Sequence, residues 1–187
     1  MRFPSMVKVR QLFNRDRLPD PGEETARRLG ESGLLDSLRP GSRIAVTAGS
    51  RGIHRIDRIL RAVTEELKRR GLEPFIVPAM GSHGGGTEEG QAAMLESLGV
   101  TGETVGAPVV SSMETAELGR TVSGVPVFMD VNACSADGIV VVNRVKPHTA
   151  FRGRIESGLC KMVAVGLGKR EGAEAMHRLG LGGVIVE

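Results

Sequence analysis

Two places where a short apolar run breaks into glycines and resumes as an amphipathic helix constrain the fold of this 187-residue chain more than any other feature. Arg43 to Thr47 is an apolar strand running into Ala48-Gly49-Ser50-Arg51-Gly52, after which Ile56, Ile59, Leu60, Val63 and Leu67 recur at helical spacing up to Gly71. The pattern repeats at once. Pro74 to Ala79 is a strand, Gly81-Ser82-His83-Gly84-Gly85-Gly86 a glycine turn, and Thr87 a good N-cap for a helix through Leu98. Two consecutive strand–turn–helix units imply a parallel sheet, so the expected class is α/β, three-layer-like, with glycine-rich βα loops.

The flanking segments extend this reading. Met6 to Phe13 reads as a strand, and Asp20-Pro21-Gly22-Glu23 supplies an N-cap, a proline at the first helical position and an acid in the first turn of a helix to about Leu38. Val125 to Met129 and Gly138 to Val142 read as strands, the second a wholly apolar run of the buried parallel type. A loop, Asn143 to Gly153, leads to an apolar stretch from Leu159 to Leu167 and a short helix, Glu171 to Leu179. Gly182 to Glu187 reads as the opening of a further element, so residues 1–187 are expected to form one domain truncated before a second.

Composition narrows the partners. Hydrophobic residues make up 40% and charged residues 25%, ordinary for a globular chain, while aromatics stand at 3% with no Trp or Tyr. The core must therefore come from Val, Ile, Leu, Ala and Met. A net charge of +3 without stacking aromatics or a dense basic stripe argues against nucleic acid, since the basic residues from Arg55 to Arg70 alternate with Glu65 and Glu66. Cys134 and Cys160 form no disulfide framework or zinc spacing, which fits a reduced cytoplasm, and Cys160 reads as a packed small hydrophobe. The apolar runs fall short of the roughly 20 residues that span a bilayer, so no membrane partner is expected.

His83, His148 and His177 lie in or beside glycine-rich connections, which in a parallel sheet gather at the carboxyl ends of the strands, where ligands bind. His54 opens a surface helix and reads as solvated. The loop Gly81 to Gly86 feeds a helix N-terminus and offers N–H groups to an anion, although a tight turn alone explains its glycines equally well. Arg51 could clamp a carboxylate or phosphate or simply face solvent. Lys161, apolar on both sides, is suited to a depressed pKa and covalent chemistry, or to snorkelling at a helix edge.

Together, Pro78-Ala79-Met80-Gly81-Ser82-His83-Gly84-Gly85-Gly86-Thr87, then Val141-Val142-Asn143-Arg144-Val145-Lys146-Pro147-His148-Thr149, then Lys161 and His177, resemble the lactate racemase N-terminal domain family in several separated motifs in the right order. The resemblance implies a nickel-dependent 2-hydroxyacid racemase or epimerase. Its cofactor would be a nickel pincer nucleotide, with sulfur and carbon donors to the metal, tethered through Lys161 as a thioamide. His177, sixteen residues on, would add the nickel ligand, and imidazole suits that metal. His83 and His148 would be the acid/base pair as the α-hydride moves to and from the cofactor. Arg51 would hold substrate or cofactor, with Ser50, Gly84 and Gly85 beside it.

Two departures qualify the substrate and the architecture. Where lactate racemases carry an acidic residue three positions before the arginine, this chain has Ala48, and the segment after His148 is longer and more charged, with Arg152, Arg154 and Glu156. The substrate expected is therefore another 2-hydroxyacid or a polyol acid. The resemblance also implies a second α/β domain, in cis or in trans, that closes over the cofactor, and it allows a homo-oligomer. The competing readings are a non-catalytic module that binds an anionic nucleotide and a truncated, inactive domain.

Overall fold

A computed structural model describes residues 6–13, 16–147, 152–153 and 155–179. Its elements run α1 Pro21–Glu31, β1 Arg43–Ala48, α2 Ile56–Arg69, β2 Glu73–Pro78, α3 Glu88–Ser97, α4 Gly102–Val105, β3 Thr115–Arg120, β4 Pro126–Asp130, α5 Val131–Cys134, β5 Gly138–Val140, α6 Leu159–Lys161 and α7 Lys169–Leu179. β1 pairs in parallel with β2 from Arg43–Glu73 to Ala48–Pro78, and on its other side with β5 from Ile44–Gly138 to Val46–Val140. The order β2-β1-β5 confirms the α/β expectation. Residues 108–110 extend the β2 edge, with Ile76 N donating to Pro108 O and Val110 N to Ile76 O, both at 2.8 Å. β3 and β4 form a separate antiparallel pair with an irregularity between Glu117 and Gly119.

The alternation of a strand sends successive side chains to opposite faces, and the sheet uses both. Ile44, Val46 and Ala48 of β1 pack with Ile76 of β2 against Ile56, Leu60, Val63 and Leu67 of α2 and Leu95 of α3. Ala45, Phe75 and Val77 face the other way, onto Ala133, Met162 and Leu167. Fully burying a side chain such as Leu60 contributes about 1.5–3 kcal/mol, so the two faces together supply the bulk of the cohesion. The chain reaches this core without a single Trp or Tyr because β-branched and aliphatic residues fill both sides of the sheet.

Helix boundaries follow their caps. Asp20 Oδ1 accepts from Gly22 N at 2.8 Å and Glu23 N at 3.1 Å, and Pro21 opens α1 as expected. α1 stops at Glu31, well before Leu38, because Ser32 turns its N–H back to Leu29 O and Gly33 takes φ +68. Thr87 caps α3 by accepting from Gly90 N at 3.0 Å. Against expectation, residues 6–13 form no regular element and Val7 and Val9 are exposed, since no partner strand lies beside them among the described residues. β5 is shorter than the run Gly138 to Val142 and only half-buried, being at an edge of the sheet. α4, α5 and β3 were not anticipated.

The apolar stretch after Gly158 is the most unusual element. Lys161 ends α6, a π-helical turn covers Met162–Leu167, and α7 begins at Lys169, two residues before the expected Glu171. π-helical turns are rare and concentrate at functional sites. This one presses on the end of β2: Gly81 N donates to Gly166 O at 3.1 Å, and a Cβ at Gly166 would lie 2.7 Å from Ala79 O. Gly166→Ala therefore forces the π-helical turn off the sheet and should cost about 1–3 kcal/mol, read as a lowered urea midpoint with an unchanged slope.

Candidate functional site

The parallel pairing places the ends of β1, β2 and β5 along one edge, where the connections after Ala48, Pro78 and Val140 leave together. They enclose a cavity of about 370 Å³ with the π-helical turn and α7 as its far wall. Gly49, Ser50 and Arg51 come from the first turn, Met80, Ser82 and His83 from the second, Asn143, Arg144 and Lys146 from the third, and Lys161 and His177 from opposite ends of the helical wall.

Five of the eight residues expected at the site thus line one cavity: Ser50, Arg51, His83, Lys161 and His177. Gly84 and Gly85 are not among its lining. They shape the turn beside it, at φ +66 and +71, and a Cβ at Gly84 would lie 2.6 Å from the carbonyl carbon of Gly90. His148 and Arg154 lie outside the described residues. His54 is exposed, as expected. Cys160 overturns its expectation, because α6 turns its thiol outward and it is exposed and free, as is Cys134. Ala48 is fully buried in the core beside Ile44 and Val46.

The cavity is cationic. Arg51, Arg144, Lys146 and Lys161 line it, and no Asp or Glu does among the described residues. Partial burial, then Lys146 and Arg51, hold the Lys161 amine below its ordinary range, which raises the fraction of nucleophilic free amine. Burial, then Arg51 and Lys161, lower His83 likewise. Ser50 Oγ and His83 Nδ1 lie 2.5 Å apart, either able to donate. When Nδ1–H donates to Ser50, Nε2 keeps its lone pair and can act as a base. Arg51 has no carboxylate partner among the described residues, leaving its guanidinium open to an anion.

A buried polar network behind the cavity escaped the sequence reading. Lys169 is fully buried, at φ +51, a conformation costing a non-glycine residue about 1–2 kcal/mol. Its Nζ lies 2.5 Å from Pro78 O, 3.2 Å from Gln91 Oε1 and 3.0 Å from Asp130 Oδ2. Burial lowers its pKa and Asp130 opposes that. Gln91 Nε2 in turn donates to Gly81 O at 2.8 Å and His83 O at 3.3 Å. Gln91 was detectable, because it occupies the apolar stripe of α3 four residues before Leu95.

With this geometry in place, the match of the lactate racemase N-terminal domain to residues 26–183 is decisive. The chain belongs to the lactate racemase N-terminal domain family. The matched span contains every cavity-lining residue, so the family domain and the cavity are one unit. A search of the curated proteins finds no match to the chain. Among the described residues no helix is long and apolar enough to cross a membrane, and no group of three or more His, Cys, Asp or Glu converges on a metal position.

The electrostatics give a direct test. The His83 imidazole should titrate below the ordinary 6.5 in the NMR spectrum of the chain, and Arg51→Ala should raise it by removing a repelling charge. A titration at or above 6.5 in the unaltered chain contradicts the desolvated, cation-flanked ring.

Proposed function

We propose that this domain binds a nickel pincer nucleotide through Lys161 and His177 and serves the racemisation or epimerisation of a 2-hydroxyacid. The observation that carries the reading is the convergence of Ser50, Arg51, His83, Lys161 and His177 on one cationic cavity in a chain of this family. The donor set suits the group. For a nickel ion held by the nucleotide's own sulfur and carbon donors, the His177 imidazole would be the protein ligand, whereas a bare ion would need a cluster of side chains absent among the described residues. Lys161, with its lowered pKa, is the amine for covalent attachment, and Arg144 and Lys146 offer charge to a phosphate.

The cofactor, when bound, supplies a reversible acceptor for the α-hydrogen of the substrate as hydride. The protein's own tasks are then positioning and proton transfer. Arg51 clamps the substrate carboxylate, which fixes the carboxylate end against rotation. His83, held at Nδ1 by Ser50 and kept neutral by its surroundings, removes the hydroxyl proton. Inverting a stereocentre requires a second acid/base group on the opposite face, the role we assign to His148. A second domain, in cis or in trans, completes the enclosure, and homo-oligomerisation is compatible with the same arrangement. We assign the protein to the reducing cytoplasm, where its two exposed thiols stay free. Ala48 and the charged segment around Arg152 favour a 2-hydroxyacid other than lactate or a polyol acid.

The test is the intact mass and nickel content of the chain produced together with the enzymes that build the cofactor. The unaltered chain should carry a covalent adduct with about one nickel, and Lys161→Ala should carry neither. His177→Ala should keep the adduct and lose most of the metal. An anion-binding module without catalysis is the other reading the cationic cavity favours, and it predicts stabilisation by inorganic phosphate that Lys161→Ala leaves intact, with no adduct in any variant.

A further inference from the structure

We propose that Lys169, through Asp130 and Gln91, is a positioning residue that fixes the glycine turn carrying His83 relative to α7, the helix carrying His177. The inference rests on the reading of His83 and His177 above and adds a device to it. Lys169 is the first residue of α7 and is fully buried. Its ammonium donates to two oxygens, Pro78 O at the end of β2 at 2.5 Å and Gln91 Oε1 on α3 at 3.2 Å, and forms an ion pair with Asp130 Oδ2 at the end of β4 at 3.0 Å, so it meets three different elements.

The second links make the arrangement directional. Gln91 accepts from Lys169 with its oxygen and donates with its nitrogen to the carbonyls of Gly81 and His83, so its whole amide is spent between α7 and the glycine turn. Asp130 is held in turn, its Oδ1 accepting from Asn132 N at 2.8 Å and Ala133 N at 3.0 Å. Neither Lys169, Gln91 nor Asp130 lines the cavity. Each is fully buried, and each is connected to a segment that does line it. A merely structural ion pair would need only Lys169 and Asp130; the amide reaching the His83 carbonyl ties the pair to the site.

The turn needs such an anchor. Gly84, Gly85 and Gly86 all have positive φ, and a run of glycines has little conformational preference of its own to hold His83 against Ser50. The Gln91 amide supplies from behind the restraint that the glycines lack.

The experiment compares His83 imidazole titrations by NMR in the unaltered chain and three variants, without cofactor. Gln91→Met keeps the volume and removes the amide, Asp130→Asn keeps the shape and removes the counter-charge, and Leu60→Ala is a core control that destabilises without touching the network. The His83 pKa should shift upward, toward 6.5, in Gln91→Met and Asp130→Asn as the turn loosens and the ring gains water, and stay in place in Leu60→Ala. Curves that overlay the unaltered chain in both network variants overturn the proposal. So does an equal shift in Leu60→Ala, which makes it a consequence of lost stability. Should Asp130→Asn not fold, Gln91→Met alone decides. The readout needs neither nickel nor substrate, so failure of the cofactor assignment is seen separately, as a missing Lys161 adduct.

Discussion

Burying an ammonium away from water is tolerable only if every proton finds an acceptor and the charge finds a partner. Lys169 donates to Pro78 O and Gln91 Oε1, and its charge is paired with the Asp130 carboxylate. Removing one member of a buried pair typically costs about 3–5 kcal/mol because the other charge is stranded, whereas a well-packed apolar replacement of the whole set can be neutral. An ion pair here is therefore better understood by what it fixes than by what it adds to stability. It fixes the end of β2, the end of β4, the base of α3 and the start of α7 at one point, and the cavity lies on the other side of that point. The positive φ of Lys169 is the local cost of bringing the ammonium there.

The opposite balance holds inside the cavity. Four basic side chains line it with no Asp or Glu among its described lining residues, and burial first, then the neighbouring charges, lower the pKa of both Lys161 and His83. Such a site is poorly satisfied by water alone and suited to an anion, which would relieve the repulsion. The two halves of the site complement each other: a buried charged network behind holds the elements together, and a cationic surface in front faces the cavity. The π-helical turn joins them, since it separates Lys161 from His177 while pressing Gly166 onto Ala79.

Much of this was legible in the chain because it depends on local rules. The two strand–glycine–helix units fixed a parallel pairing, and helical periodicity identified the buried face of α2 through Leu60, Val63 and Leu67. The caps Asp20 and Thr87 marked their helix starts correctly. Ser50, Arg51, His83, Lys161 and His177 could be chosen as site residues because loops after parallel strands share an edge and because their order matched a family. Alternation failed at residues 6–13, where a strand pattern has no partner strand among the described residues, and at β5, whose apolar run sits at a sheet edge and is only half-buried. Cys160 failed because an apolar run need not be buried throughout: Leu159 and Val163 beside it are exposed as well, while Met162 is buried.

Sequence by itself determined the secondary-structure grammar and the α/β class, which are written in spacing and local propensity, and the family and the candidate site residues through the resemblance of its motifs. Tertiary structure alone decided which of those residues meet and what holds them. Lys169 and Asp130 are 39 positions apart and Gln91 and Lys169 are 78 apart, as their numbers show, and no periodicity links them. Their association comes from the requirement that a charge buried between packed elements be paired, and that requirement arises only once the elements have excluded water.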